Sequence, residues 1–326
     1  MTGLTRNPEP RTPKMIKYLK HSEIDVKAWD KCINQSFNGI VYATSWYLDL
    51  VHEDWEALVE NDYERVMPLT GGKKFGMDYL FQPYFTQQLG IFSQSMLNPE
   101  IVSLFIKQIP SHYKFIEINL NSFNKIESND LSIISNKNHI LDLINEHSKI
   151  SSKYSTQTKR NLKKSHKAGL SLMKNIKPEA IISLFRENRG KDLQKWNDSH
   201  YNVLKRLMYS SIYKGKGIAY GVFTGFNEMC AGAFFLKSNN RLIFLFSGSN
   251  ETARETSAMT FLIDAVIKEF TPSQSILDFE GSNDKNLARF YKGFGAKEIE
   301  YAGIQINKLN FPVRQVFNLY KMLKKG

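Results

Sequence analysis

The sequence predicts an α/β (α+β) protein in two halves, each a mixed, mostly antiparallel sheet flanked by helices. Three observations lead there. From Leu242 to Tyr301 the chain reads as an apolar strand (LIFLFSGS), a polar loop (NETARE), a helix opening near Thr256 or Ser257, a strand (SILDFEGS), a helix (NLARFYKGF) and a returning strand. Just before it, IAYGVFT, MCAGAFFLKS and RLIFLFSGS are joined across Phe226-Asn227-Glu228 and Asn239-Asn240, the pattern of an antiparallel meander. The length, 326 residues, suffices for two domains with cores that need no metal or disulfide staple.

Composition narrows the function classes. Hydrophobic and charged contents of 42% and 23% are those of a globular chain, so disorder is expected only at the ends. A net charge of +12 favours an acidic partner, whether a nucleotide cofactor, a nucleic acid or an anionic membrane surface, and equally fits a merely basic soluble protein. Cys32 and Cys230 stand far apart without metal-ligand spacing, which predicts reduced, buried thiols in a cytoplasmic protein. None of the seven histidines has a Ser/His/Asp or HExxH context, so a hydrolase triad and a zinc site find no support and no metal is expected. Residues 1–14 read as a disordered leader without a signal-peptide pattern. No apolar run reaches the roughly eighteen residues of a spanning helix.

The first half, 15–150, is built from short elements. Ile24 to Ile33 and Trp46 to Val51 have helical spacing, with Thr44 or Ser45 as the N-cap of the second. WEALVE and RVMPLT read as strands around the turn NDYE, and Gly71-Gly72-Lys73-Lys74 as a tight turn. The aromatic and glutamine-rich stretch YLFQPYFTQQLGIFS reads as a loop that either plugs the interface between halves or lines a substrate pocket with Tyr84, Gln87 and Gln88. A helix (PEIVSLFIKQI) and two strands (FIEINL and HILDL) follow, with 121–136 expected as an exposed loop between the strands.

The second half, 151–326, opens on a basic helix expected from Ser151 to Ala168, closed by Gly169. Lys153, Gln157, Arg160, Lys164 and Lys167 recur at spacings of four and three and share one face, which is either solvated or set against phosphates. Helices over 178–188 and 202–214 precede the meander. The basic amphipathic end, PVRQVFNLYKMLKKG, predicts a helix that packs on its own domain or touches anionic lipid.

The segment Asn283 to Lys297, NDKNLARFYKGFGAK, resembles the C-terminal signature of GNAT-type acyltransferases, an aromatic Tyr291 followed four residues later by Gly295 at the start of a strand. The order from Ile218 to Leu309 is similar to the GNAT core. The helix TKRNLKKSHKAGL before it resembles that of the Fem peptidoglycan aminoacyltransferases and the BioF2-like acetyltransferases. In those relatives two GNAT-like halves sit side by side, which the resemblance implies here too. It covers most of Met15 to Met322, with its motifs mainly in the second half.

The resemblance implies acyl transfer to an amine. Such a reaction needs phosphate donors for an acyl-CoA co-substrate, a base for the amine, an oxyanion donor and an acid for the leaving group. Arg254, Ser257 and Thr260 around the expected helix start, with Arg160 and Lys164 of the basic helix, are the candidate phosphate contacts, although ARETSAMT contains no glycine. Tyr291 reads as the acid for a departing CoA thiolate or as a core aromatic one turn after Leu287. Asp278 and Glu280 alternate around Phe279 and are expected on one face, Glu280 as base and Asp278 as base or structural acceptor. Where Fem proteins carry a lysine, this chain has Phe290-Tyr291-Lys292, which turns the reading toward a thioester donor. The functions left open are an N-acyltransferase acting on an amine of a sugar, peptide or cell-envelope precursor, a Fem-like transferase using aminoacyl-tRNA, and a non-catalytic binding module on the same fold.

Overall fold

The computed structural model describes residues 15–74, 76–127, 131–192, 196–281, 283–312, 314 and 315. The expected leader at 1–14 and most of the expected C-terminal helix lie outside them. The first half runs β1 (Ile16–Leu19), α1 (Val26–Gln35), α2 (Ser45–Val51), β2 (Glu56–Glu60), β3 (Arg65–Leu69), β4 (Gly71–Lys74), β5 (Met77–Phe81), β6 (Phe92–Ser93), α3 (Pro99–Lys107), β7 (Tyr113–Asn119) and β8 (Ser132–Asp142). Across the expected boundary at 150 the chain continues with α4 (His147–Ser152), α5 (Thr156–Lys167), β9 (Ser171–Lys174), α6 (Pro178–Arg186), α7 (Asp198–Tyr213), β10 (Gly217–Phe223), β11 (Met229–Ser238) and β12 (Arg241–Ser249). It ends with α8 (Glu251–Thr256), α9 (Ala258–Phe270), β13 (Ile276–Gly281), α10 (Lys285–Lys292) and β14 (Lys297–Asn307).

These strands form two sheets. One is four-stranded, in the order β1-β2-β3-β6; the other is ten-stranded, in the order β4-β5-β7-β14-β8-β13-β12-β11-β10-β9. Pairing is antiparallel except at β5/β7 and β12/β13. Each parallel pair is bridged by helix, α3 in the first case and α8 with α9 in the second, because a parallel return needs a crossover. The large sheet crosses between halves, since β14 pairs with both β7 and β8 and β8 pairs with β13.

Three apolar cores hold these layers. Trp29, Tyr47 and Trp55 of the first half pack with Leu204, Phe234 and Phe246 of the second, so the halves share a core. On the other face of the second half, Leu262, Ile263, Val266 and Ile267 of α9 meet β10 to β13, each contributing about 1.5–3 kcal/mol by burial. Val102, Phe105 and Ile106 of α3 cover Leu80 and Ile116 of the β5/β7 pair.

Four expectations are corrected. Gly71 and Gly72 lie in strand β4 rather than in a turn, because they pair with Leu80 and Tyr79 of β5; glycine fits there since a Cβ on Gly71 would stand 2.5 Å from the Tyr113 hydroxyl and one on Gly72 3.0 Å from the Tyr79 ring. Residues 132–136 extend β8, paired with Tyr301 to Gln305 of β14, a partner too distant in sequence for local periodicity to reveal. The basic helix is broken at 153–155, where the Ser155 side chain accepts from the Thr158 N–H at 3.1 Å and starts α5 afresh. This leaves Lys153 off the α5 face. The expected NETARE loop is helix α8, started by Asn250, whose Oδ1 accepts from the Ala253 N–H at 3.1 Å.

Candidate active site

The parallel pair β12/β13 opens partway along. Pairing covers Arg241 with Ile276, Leu242 with Leu277 and Ile243 with Asp278, and then stops. On its other side β13 carries a bulge: Asp278 lies opposite Ile140, but Gly281 lies opposite Asn138, so one extra residue sits between them. Glu280 absorbs that residue with a left-handed backbone, φ +61°. A side chain there costs about 1–3 kcal/mol, and such strain concentrates at functional sites. The bulge also ends the alternation, so Asp278 and Glu280 do not share one environment as the strand pattern predicts.

Asp278 is buried and fully engaged. Its Oδ1 accepts from Asn138 Nδ2 at 2.9 Å and from the Glu280 N–H at 2.9 Å, and its Oδ2 from Arg241 Nη1. The carboxylate therefore pins the bulge rather than facing a substrate. Glu280 is partly buried, and its carboxyl has no hydrogen-bond partner among the described residues. Burial alone pushes that carboxyl well above the ordinary range.

Two phenols surround it. Burial, then the Glu280 charge, push Tyr291 and Tyr301 above the ordinary tyrosine range, so both stay protonated. The Tyr291 ring stacks on Phe279 at 4.6 Å and 19°, while its hydroxyl makes no hydrogen bond among the described residues. Core ring and free O–H thus coexist in one side chain. Its helix is held by α5: the Ser155 N–H donates to Gly293 O at 2.9 Å, and a Cβ on Gly293 would lie 2.5 Å from Thr158 Oγ1. Glutamine completes the group. The buried Nε2 of Gln87 has no partner, and a Cβ on Gly281 would come within 2.8 Å of it and 3.8 Å of the Tyr301 hydroxyl. A carboxyl, two phenols and an uncommitted amide N–H converge at the end of β13.

The remaining predicted residues lie elsewhere. Gln88 is committed to its neighbours: its Nε2 donates to Gln87 Oε1 at 2.6 Å and its Oε1 accepts from the Ser122 N–H at 3.0 Å. Tyr84 is exposed, its ring 4.2 Å from His200 and 6.2 Å from Trp196. Arg254 is exposed on α8, Ser257 is the left-handed joint between α8 and α9 with φ +60°, and Thr260 is buried on α9. Arg160 and Lys164 are exposed on α5, and Arg160 Nη2 donates to Gln157 Oε1 at 2.8 Å. Among the described residues, none of these last five bonds to the Glu280 group.

Sequence reading misses Arg241, Asn138 and Tyr301, which register brings to β13 and which carry no motif. Lys292, beside Tyr291, is committed to Glu298 at 2.7 Å. Hydrogen bonds from Lys137 and Lys292 hold the Glu298 carboxylate down at about 2. Burial, then the Lys292 charge, keep nearby His139 below its ordinary value and hence neutral. Among the described residues no cluster of three or more His, Cys, Asp or Glu is placed to hold a metal ion.

No family model matches the chain, and no curated protein does. Solved structures do match. The fold is that of GNAT-type proteins with two GNAT-like halves, as in the tandem GNAT protein from the clavulanic acid biosynthesis pathway, 9% identical over 91% of this chain and 99% of that one with a TM-score of 0.53. The crystal structure of FemX superposes with a TM-score of 0.63 at 13% identity, covering 91% of this chain and 99% of FemX. The C-terminal domain of a putative lysylphosphatidylglycerol synthetase from Agrobacterium fabrum aligns with a TM-score of 0.52 at 11% identity, covering 87% and 91%. At such identities the likeness is one of fold.

Proposed function

We propose that the protein is an N-acyltransferase that moves an acyl group from acyl-CoA to an amine of a sugar, peptide or cell-envelope precursor. One observation carries this reading: Glu280 is an unpartnered carboxyl of raised pKa on strained backbone, where β12 and β13 part. Glu280 takes the amine proton, directly or through a water. The amine nitrogen then attacks the thioester carbonyl, and Gln87 Nε2 donates to the oxyanion that forms. As the tetrahedral intermediate collapses, the C–S bond breaks and the Tyr291 hydroxyl protonates the leaving thiolate. Asp278 is a positioning residue in this scheme, through Arg241, Asn138 and the Glu280 N–H. The division into halves near residue 150, the cytoplasmic setting and the phosphate contacts of Arg254, Ser257, Thr260, Arg160 and Lys164 belong to the same proposal.

The exposed basic face of α5 favours a second reading, a Fem-like transfer from aminoacyl-tRNA. Two measurements separate the readings. Saturating acetyl-CoA is expected to stabilise the protein by about 2.7 kcal/mol at a hundredfold excess over Kd, and the absence of any thermal shift overturns the first. Steeply salt-dependent binding of charged tRNA selects the second. Tyr291→Phe keeps the stacked ring and removes the acid, so turnover should fall with little change in stability; full turnover would make Tyr291 structural. A non-catalytic binding module predicts neither donor binding nor turnover.

A further inference from the structure

A cleft of about 400 Å3 lies between the segment at the end of α1, the loop after β7 and the N-terminal ends of β12 and β13. Glu280 and Gly281 stand at the C-terminal end of β13, so this cleft is not the reaction centre. Its volume falls within the range of about 300–1,000 Å3 for small-molecule sites.

Much of its polar lining serves the fold. Asn38 Nδ2 donates to Ile91 O at 2.8 Å and its Oδ1 accepts from the Ser93 N–H at 3.2 Å, while Asn121 Nδ2 donates to Leu89 O at 3.0 Å. These amides are spent. Other groups are not: the side chains of Asn34, Asn240 and Ser122 line the cleft and have no hydrogen-bond partner among the described residues. An amide both donates and accepts, and a hydroxyl does the same. Arg241 also lines the cleft, but its charge is answered by Asp278, to which Nη1 donates. Among the lining residues it is the one ionisable side chain, so the cleft has little net charge to attract an anion.

Apolar surface completes the lining. Phe37 and Phe123 are 38% and 42% exposed, and their rings meet edge to face, with centroids 5.4 Å apart at 83°. They come from different segments, one after α1 and one after β7, and form a single aromatic pair. A ligand here meets uncommitted amides, a hydroxyl and an aromatic pair, with no uncompensated charge. A pyranose ring has this chemistry: a girdle of hydroxyls that donate and accept, and C–H faces that lie against aromatic rings.

We propose that this cleft binds a neutral saccharide ring, held by Asn34, Asn240 and Ser122 against Phe37 and Phe123. The site goes beyond the acyl-transfer reading and does not rest on it. A physical link to the reaction centre exists nonetheless. Gln88 lines the cleft and donates to the Oε1 of Gln87, whose Nε2 meets Gly281.

The test uses the full chain without any acyl donor. Saturation-transfer NMR and calorimetry with N-acetylglucosamine, methyl β-glucoside, inorganic pyrophosphate and triglycine read the site directly. A pyranose is expected to bind with a dissociation constant on the order of 1 mM, as suits one small ring. The exposed double substitution Phe37→Ala with Phe123→Ala, and separately Asn240→Ala, should each weaken that binding roughly tenfold with unchanged melting temperature. Absence of pyranose binding overturns the proposal, as does binding that neither variant alters. Tighter binding of pyrophosphate, lost in Arg241→Gln, would make the cleft an anion site and overturn it too. Preference for triglycine would make it a peptide site and overturn the saccharide proposal equally.

Discussion

The β5/β7 and β12/β13 pairs share one local architecture, two parallel strands joined through helix, and end in opposite ways. Beyond Phe81 and Glu117 the first pair is stitched shut by loop 82–91. Gln82 Oε1 accepts from the Asn119 N–H at 3.0 Å, Asn119 Nδ2 donates to Gln87 O at 3.1 Å, the Leu89 N–H donates to Asn119 O at 3.0 Å, and Asn121 Nδ2 reaches Leu89 O. In the second pair, β12 runs on while β13 bulges, and the Glu280 carboxyl, the Tyr291 hydroxyl and Gln87 Nε2 are left without hydrogen-bond partners among the described residues. Parting strands create exposed backbone in either case. Short amides convert it into structure at one place, and a strained acid converts it into chemistry at the other. The closed crevice also supplies the open one, because the loop that seals β5/β7 delivers Gln87 to Gly281.

Three substitutions test that contrast. Glu280→Gln should act most strongly, lowering turnover about 10²–10⁴-fold, the worth of a positioned base. Since burial holds this carboxyl well above its usual range, the parent kcat/KM should rise with pH through the raised value and level off above it, and the variant should lack that rise. Stability runs in the other direction. The folded state keeps the proton to higher pH than the unfolded chain, so the cost of Glu280 is absent below about pH 4.3 and grows as pH climbs to the folded value. Glu280→Gln should accordingly raise Tm at neutral pH and leave it unchanged near pH 4, which differential scanning calorimetry would show.

In the sealed crevice, Asn121→Ala should cost about 1–3 kcal/mol in urea unfolding by orphaning the buried Leu89 carbonyl, with turnover per folded molecule retained. A loss of turnover at unchanged stability would mean that the two crevices are not functionally distinct. The smallest change in stability is expected from Glu280→Gly near pH 4, where the carboxyl is protonated in both states: relief of the left-handed strain should stabilise the protein by about 1 kcal/mol, while turnover falls as in Glu280→Gln. A lower urea midpoint would show that Glu280 is not strained.

The sequence makes much of the second half legible because its signals are local. Leu262, Ile263, Val266 and Ile267 repeat at helical spacing, and the meander turns are marked by Asn227 and by Asn239-Asn240. Elements set by distant partners are not legible, such as the start of β8, whose polar SIISN run is strand only because Tyr301 to Gln305 lie beside it. The site divides the same way. Tyr291 and Glu280 follow from motif and strand pattern, but the backbone inversion that separates Glu280 from Asp278 depends on Asn138 and Arg241, which only the sheet register brings together.

Strand β14 has a consequence for biosynthesis. It lies between β7 and β8, so two strands of the first half acquire their shared neighbour only when the chain has been made through residue 307. At about 5–20 residues per second, β8 leaves the ribosome on the order of ten to thirty seconds before its partner does. During that interval both edges present unpaired backbone that invites wrong pairing. A nascent chain of this fold therefore depends on β14 to join the two parts of its large sheet, and a message truncated before residue 307 would yield an open-edged product suited to chaperone capture.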